Sequence, residues 1–149
     1  MTRYFKPLAY AVATIGLCAL LLPIILDAWE NSRFQGTWRM VSVTVDGKAM
    51  ADSDVNRWLV KIQGDSLVFD EPEAKYTARF SFDRSTSPKH LDIAQRDAAV
   101  MDGTRHGIYS MENLRLHVCV PIQPRAARPE NFESSENSGH ILVELVRME

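Results

Sequence analysis

The sequence predicts an all-β domain, a small antiparallel sandwich or barrel of about eight strands, behind one N-terminal hydrophobic helix. Three observations carry that expectation. After residue 30 the apolar residues come in short alternating runs at roughly ten-residue spacing, the rhythm of strands joined by turns. The breaks hold turn dipeptides such as Asp46-Gly47 and Gly64-Asp65, and no helical crossover is long enough to link parallel strands. Before residue 30, by contrast, Pro7 to Leu26 is a run of 20 residues without a charge.

A chain of 149 residues, 46% apolar, accommodates one domain of ordinary size. Its formal charge of -2, with both signs interspersed, offers no basic field for a phosphate backbone, so no nucleic-acid partner is expected. Cys18 falls inside the first apolar run and Cys119 in a late strand, so the two should not pair and the core has to suffice without a disulfide. In LHVCV, Cys119 alternates with apolar neighbours and reads as a small buried hydrophobe rather than a reactive thiol.

The uncharged run, as a helix rising about 1.5 Å per residue, covers roughly 30 Å, the thickness of a bilayer core. Arg3 and Lys6 precede it and Asp27 and Glu30 follow, which places the N-terminus in the cytoplasm and the rest outside. The expected division is therefore an anchor over residues 1–30, spanning the membrane through residues 7–26, and an extracytoplasmic β domain over 31–149. The competing reading is a cleaved signal giving a secreted or periplasmic product. Such signals usually have a shorter run, about 7 to 15 residues, ending in small residues. The one candidate cleavage follows Ala28 with bulky Leu26 two residues before it, so the retained, single-pass inner-membrane anchor is preferred. A lipoprotein signal fails because Leu17 precedes Cys18 in mid-run.

The first strand runs from Thr37 to Val45 with Trp38 and Met40 on one parity and Val41, Val43 and Val45 on the other, so its phase changes after Met40. A bulge there, or a start covered on both faces, reconciles the two sets. Asp46-Gly47 turns the chain, and Ala51 to Asp54 offers capping residues for a short helical turn through Asn56. Trp58, Val60 and Ile62 alternate into a hairpin at Gln63 to Ser66, and Leu67 to Phe69 returns. Tyr76, Ala78, Phe80 and Phe82 alternate strictly with polar residues, the clearest half-buried strand. Leu91 and Ile93 follow a Ser85 to Lys89 turn, and Gln95 to Arg105 is a polar loop. Gly107 to Met111, Leu114 to Val120 and Ile141 to Val146 supply the last strands, with Glu112-Asn113 as the turn between the first two. Pro121 to Asn137 is a long connection with three prolines and one aromatic, Phe132.

The motifs QGTWRMVSVTVDGK, SPKHLDI, HGIY, LHVCV, RPENF and SGHILVELVR, in that order, resemble a small domain widely repeated in planctomycete proteomes and grouped with lipocalin-like barrels. The resemblance covers nearly all of Phe34 to Glu149. It implies a lipocalin-like, up-and-down antiparallel barrel of about eight strands in an extracytoplasmic setting, and it carries no catalytic residue. Gly36-Thr37-Trp38 is also similar to the Gly-x-Trp entry of lipocalins, in which a late Arg packs across the Trp. Here that role falls to Arg147, which shares the parity of Ile141, Val143 and Leu145.

Gly36, Trp38 and Arg147 are accordingly expected to close one end of the barrel, with a cation-π contact of about 0.5 to 2 kcal/mol. Arg147→Ala should then lower the melting temperature more than Arg128→Ala. A binding site is expected at the opposite mouth, from Tyr76, Ala78, Phe80, Tyr109 and Phe132, the last on a lid. Gly107 and Ser110 are small positions that leave room there. His90, His106, His117 and His140 lack ligand spacing, so no metal or other cofactor is expected. His117 points outward opposite Leu116 and Val118, and Asp97, Asp102 and Glu112 read as solvated carboxylates. No nucleophile elbow, phosphate-cradling loop or His-Glu-x-x-His is present, so no catalytic residue and no enzyme activity are expected. Two functions remain: capture of a small apolar or amphipathic ligand, or a solid barrel that contacts another envelope protein.

Overall fold

The computed structural model describes residues 22–70, 75–95 and 103–149 and divides into two compact units, Met1–Phe34 and Gln35–Glu149. In the first unit, residues 22–34 form helix α1. All but the last five residues of the expected membrane segment lie outside the described residues. Among the described residues, no helix is long and apolar enough to cross a membrane.

The second unit opens with β1 (Gly36–Val45), β2 (Lys48–Ala49), the single turn α2 (Asp52–Val55), β3 (Leu59–Gln63) and β4 (Ser66–Asp70). It continues through β5 (Lys75–Asp83), β6 (Lys89–Gln95), β7 (Thr104–Glu112), β8 (Arg115–Pro121) and β9 (His140–Arg147). From β3 onward each strand pairs antiparallel with its successor, β1 pairs with β3, and β9 returns to β1. Among the described residues this is a closed, eight-stranded up-and-down barrel, with the two-residue β2 hanging from the end of β1. The alternative of a sandwich is thereby settled. Closure leaves no long strand edge to be covered.

Closure runs through β1, and its phase change is a bulge. Trp38 and Met40 are buried and pair with Arg147 and Leu145; the register then shifts between Met40 and Ser42, and burial resumes at Val43 opposite Val143. One extra residue, Val41, moves every later side chain to the other parity, so both sets face the core on the same strand.

Asp46 and Gly47 both take positive φ, 50° and 81°, the geometry of a type I′ hairpin. A Cβ on Gly47 would stand 2.5 Å from the backbone nitrogen of Glu136, so crowding excludes a side chain as well. The β7–β8 turn is Asn113-Leu114, one residue later than expected, again with both φ values positive. Arg147 N–H donates to the Leu114 carbonyl at 3.0 Å, a tertiary bond that holds this bulky residue in the left-handed region. The expected helical turn is present as α2, but its N-cap is Ala51, so Asp52 and Asp54 lie within its first turn rather than capping it by side chain.

The barrel interior is filled from all eight barrel strands: Trp38 is fully buried, and Val60, Ile62, Leu67, Ala78, Phe80, Leu91, Tyr109, Leu116, Val118 and Leu145 are 8% exposed or less. Eight strands leave an interior of about the width such side chains fill. Trp58 and Phe82 are only half-buried. Tyr76 keeps the inward parity, but it is the second residue of β5 and is 41% exposed. Parity fixes direction; at a rim there is too little facing wall to complete the burial.

Candidate functional site

The long connection after β8 folds back on the outer wall instead of standing over a mouth. Ile108 and Cys119 are cross-strand partners on the outward parity, yet neither has any exposed surface. The connection covers them, bringing the Glu133 carbonyl to 3.7 Å from Cys119 Sγ. Burial pushes the Cys119 thiol up to about 11, so the thiolate needed for reaction is suppressed.

This strap, residues 122–139, is fastened along its length. Arg105 Nε donates to the Ile122 carbonyl at 3.3 Å, and Arg125 N–H to the Thr104 carbonyl at 2.9 Å. Arg128 donates to the Gly107 carbonyl and places Nη2 2.8 Å from Asp92 Oδ1, which His106 Nδ1 also approaches at 3.2 Å. Asp92 Oδ1 is shielded from solvent and makes no aligned hydrogen bond, so its attraction to the Arg128 guanidinium is ionic. Farther on, Ser134 Oγ donates to the His140 carbonyl at 2.9 Å and accepts from Gly47 N–H at 3.2 Å.

Where the strap descends the wall it forms one side of a cleft of about 570 Å³. Thr86 to Lys89, between β5 and β6, form a second side, Tyr109 to Glu112 at the end of β7 form the floor, and Glu130 to Phe132 belong to the strap. That volume falls within the roughly 300 to 1,000 Å³ usual for small-molecule sites. The floor is continuous with the barrel core: Tyr109, 1% exposed, meets Phe82 edge to face at 6.3 Å, and Phe82 stacks on Phe80 at 6.5 Å. Lys89 Nζ stands 5.6 Å from the Tyr109 ring centroid, cation-π range. Met111, Pro88 and Phe132 thus present apolar surface over buried Tyr109, while Ser87, Ser110 and Asn131 offer hydrogen bonds and Lys89, Glu112 and Glu130 carry charge.

Of the residues expected to bind, the structure brings Tyr109 and Phe132 together on this cleft. Ala78 and Phe80 are core residues and Tyr76 is at a rim; none of the three lines the cleft. In an up-and-down barrel the β5–β6 connection shares an end with the start of β1, so the cleft lies on the wall toward the Trp38 end rather than at the opposite mouth. Ser110 lines it, but Gly107 does not make room: a Cβ there would meet Val120 Cγ1 at 2.6 Å and the Cys119 carbonyl at 2.7 Å. Lys89, Met111 and Glu130 went unnoticed in the sequence because only the folded strap brings Glu130 beside two connections distant in the chain. The one available signal was Phe132, a lone aromatic in a polar loop.

At the Trp38 end, Arg147 is the direct partner of Trp38, and its Nε lies 3.3 Å from the position a Cβ would take on Gly36, whose φ is 120°. His117 faces outward between Ser110 and Glu144. Asp97 and Asp102 lie outside the described residues. Among the described residues, no group of three His, Cys, Asp or Glu side chains is placed to hold a metal ion. The chain matches no protein-family model, no curated protein and no solved structure.

Proposed function

We propose that this chain is a membrane-tethered, extracytoplasmic, lipocalin-like barrel that binds a small amphipathic molecule in the cleft beneath the strap. The observation that supports it is the cleft itself, where half-buried Met111 and Phe132, over buried Tyr109, flank about 570 Å³ beside a single ammonium group, Lys89. An apolar body would rest on the aromatic and thioether surface, and a polar head would meet Lys89 or the hydroxyls of Ser87 and Ser110. Tethering comes from the uncharged run ahead of residue 27 and its basic flank.

The test is titration of the barrel unit, residues 35–149, with an environment-sensitive apolar fluorophore. Saturable binding that weakens about tenfold in Phe132→Ala supports the reading. A second reading, a solid barrel that contacts another envelope protein, draws on the filled interior around Trp38 and Phe80. Unsaturable or absent binding favours it.

A further inference from the structure

Helix α1 exposes apolar side chains where a water-facing helix carries polar ones: Leu22 is 55%, Ile24 63%, Ile25 60% and Trp29 57% exposed. Leu22, Ile25, Leu26 and Trp29 fall at i, i+3, i+4 and i+7, a stripe on one face, and exposed Ile24 lies on the opposite side, so the turn over 22–26 is apolar all round. The stripe stops abruptly at Glu30, Asn31, Ser32 and Arg33. One turn beyond Trp29, the Arg33 guanidinium lies 4.9 Å over the indole ring and 3.6 Å from the Glu30 carboxylate.

The sequence upstream says what covers the stripe. The residues before Asp27 are uncharged back to Pro7, a length that as a helix would fill roughly 30 Å of hydrocarbon. Trp29 follows the end of that run by three residues, about 4.5 Å of helix, which is headgroup depth. Indole rings favour that level, and a guanidinium reaches toward water while its stem stays on apolar surface.

We infer that the chain leaves the bilayer at Trp29: residues 22–26 lie among acyl chains, and the stacked Trp29–Arg33 pair sits at the headgroup layer of the outer leaflet. The inference rests on the membrane-anchor reading and adds the depth at which the helix emerges.

The test uses the full chain, carrying Trp58→Phe, in phosphatidylcholine vesicles whose acyl chains bear bromine at shallow or deep positions; flotation and tryptophan quenching are read on the same samples. Trp38, fully buried in the barrel, serves as the unquenched background. Expected are co-flotation, stronger quenching by shallow than by deep bromine, and loss of most of that quenching in Trp29→Phe. Co-flotation with Trp29 unquenched, as when a second copy covers the stripe, overturns the depth assignment and leaves the anchor standing. Strongest quenching by deep bromine also overturns it. A chain that does not float overturns the anchor and this inference together.

Discussion

Trp38 and Arg147 are direct partners across the β1–β9 seam, the pairing that closes the barrel. The Arg147 side chain covers Gly36 at the mouth of that seam and is itself exposed. Arg128, by contrast, is 24% exposed and joins the strap to Asp92 and to the Gly107 carbonyl. These contacts lead to the opposite prediction from the sequence ranking. Arg128→Ala should cost about 1.5 to 3 kcal/mol, the range for hydrogen bonds to charged groups, and Arg147→Ala at most about 1 kcal/mol. Thermal melts of the two variants check this; a larger drop for Arg147→Ala restores the original order.

Gly107 sits in β7 between β6 and β8, with the Cys119 carbonyl 2.7 Å and the Leu91 carbonyl 3.2 Å from a Cβ placed on it. Backbone on both sides cannot move away cheaply. Gly107→Ala should destabilise the barrel by about 1 to 3 kcal/mol, read from denaturant midpoints. A neutral result would mean that the Cys119 and Leu91 carbonyls yield cheaply to a Cβ.

Ser110 lines the cleft from the outward face of β7 and is only half-buried. Ser110→Trp should fill the cleft and abolish binding of an apolar probe while changing stability by no more than about 0.5 kcal/mol. Retained probe affinity would place the site elsewhere, the opposite mouth included.

Cys119 is sealed under the strap with its thiol pushed up to about 11 by burial. In a Cys18→Ser chain, a maleimide at pH 8 should label the native protein slowly, and Arg128→Ala should speed labelling by loosening the strap. Fast labelling of the native Cys18→Ser chain would show that the strap opens freely.

Asp83 accepts from Ser85 Oγ at 2.6 Å and Ser85 N–H at 2.8 Å, and these bonds lower its pKa below the ordinary carboxylate value. A carboxylate with a depressed folded value stabilises the fold above its unfolded pKa, and that contribution is lost as pH falls through the folded one. An NMR titration should place the Asp83 midpoint below that of an unstructured Asp, and Ser85→Ala should raise it. An unchanged midpoint in Ser85→Ala would remove Ser85 as the cause.

Much of the barrel was legible because its signals are local. Alternation in Tyr76 to Phe82 set one strand's inward face, Asp46-Gly47 set a hairpin, and the parity break after Met40 marked the bulge. The site was less legible. Tyr109 and Phe132 carry recognisable chemistry, but Ala78 and Phe80 share Tyr109's inward parity without reaching the cleft. Parity says which face a side chain takes and nothing about which loop lies against it.

The sequence by itself determined strand number, antiparallel order and the inward set, since each follows from periodicity and turn chemistry within a few residues. The tertiary structure decided three things that depend on residues far apart in the chain. It closed the sheet through β1 and β9, laid the strap over Ile108 and Cys119, and made a cleft from the 86–89, 109–112 and 130–132 segments. The physical reason is that a strap with little periodicity and two prolines takes its path from what it can bond to, here Asp92 and the Gly107 carbonyl, and those partners come together only once the barrel has formed.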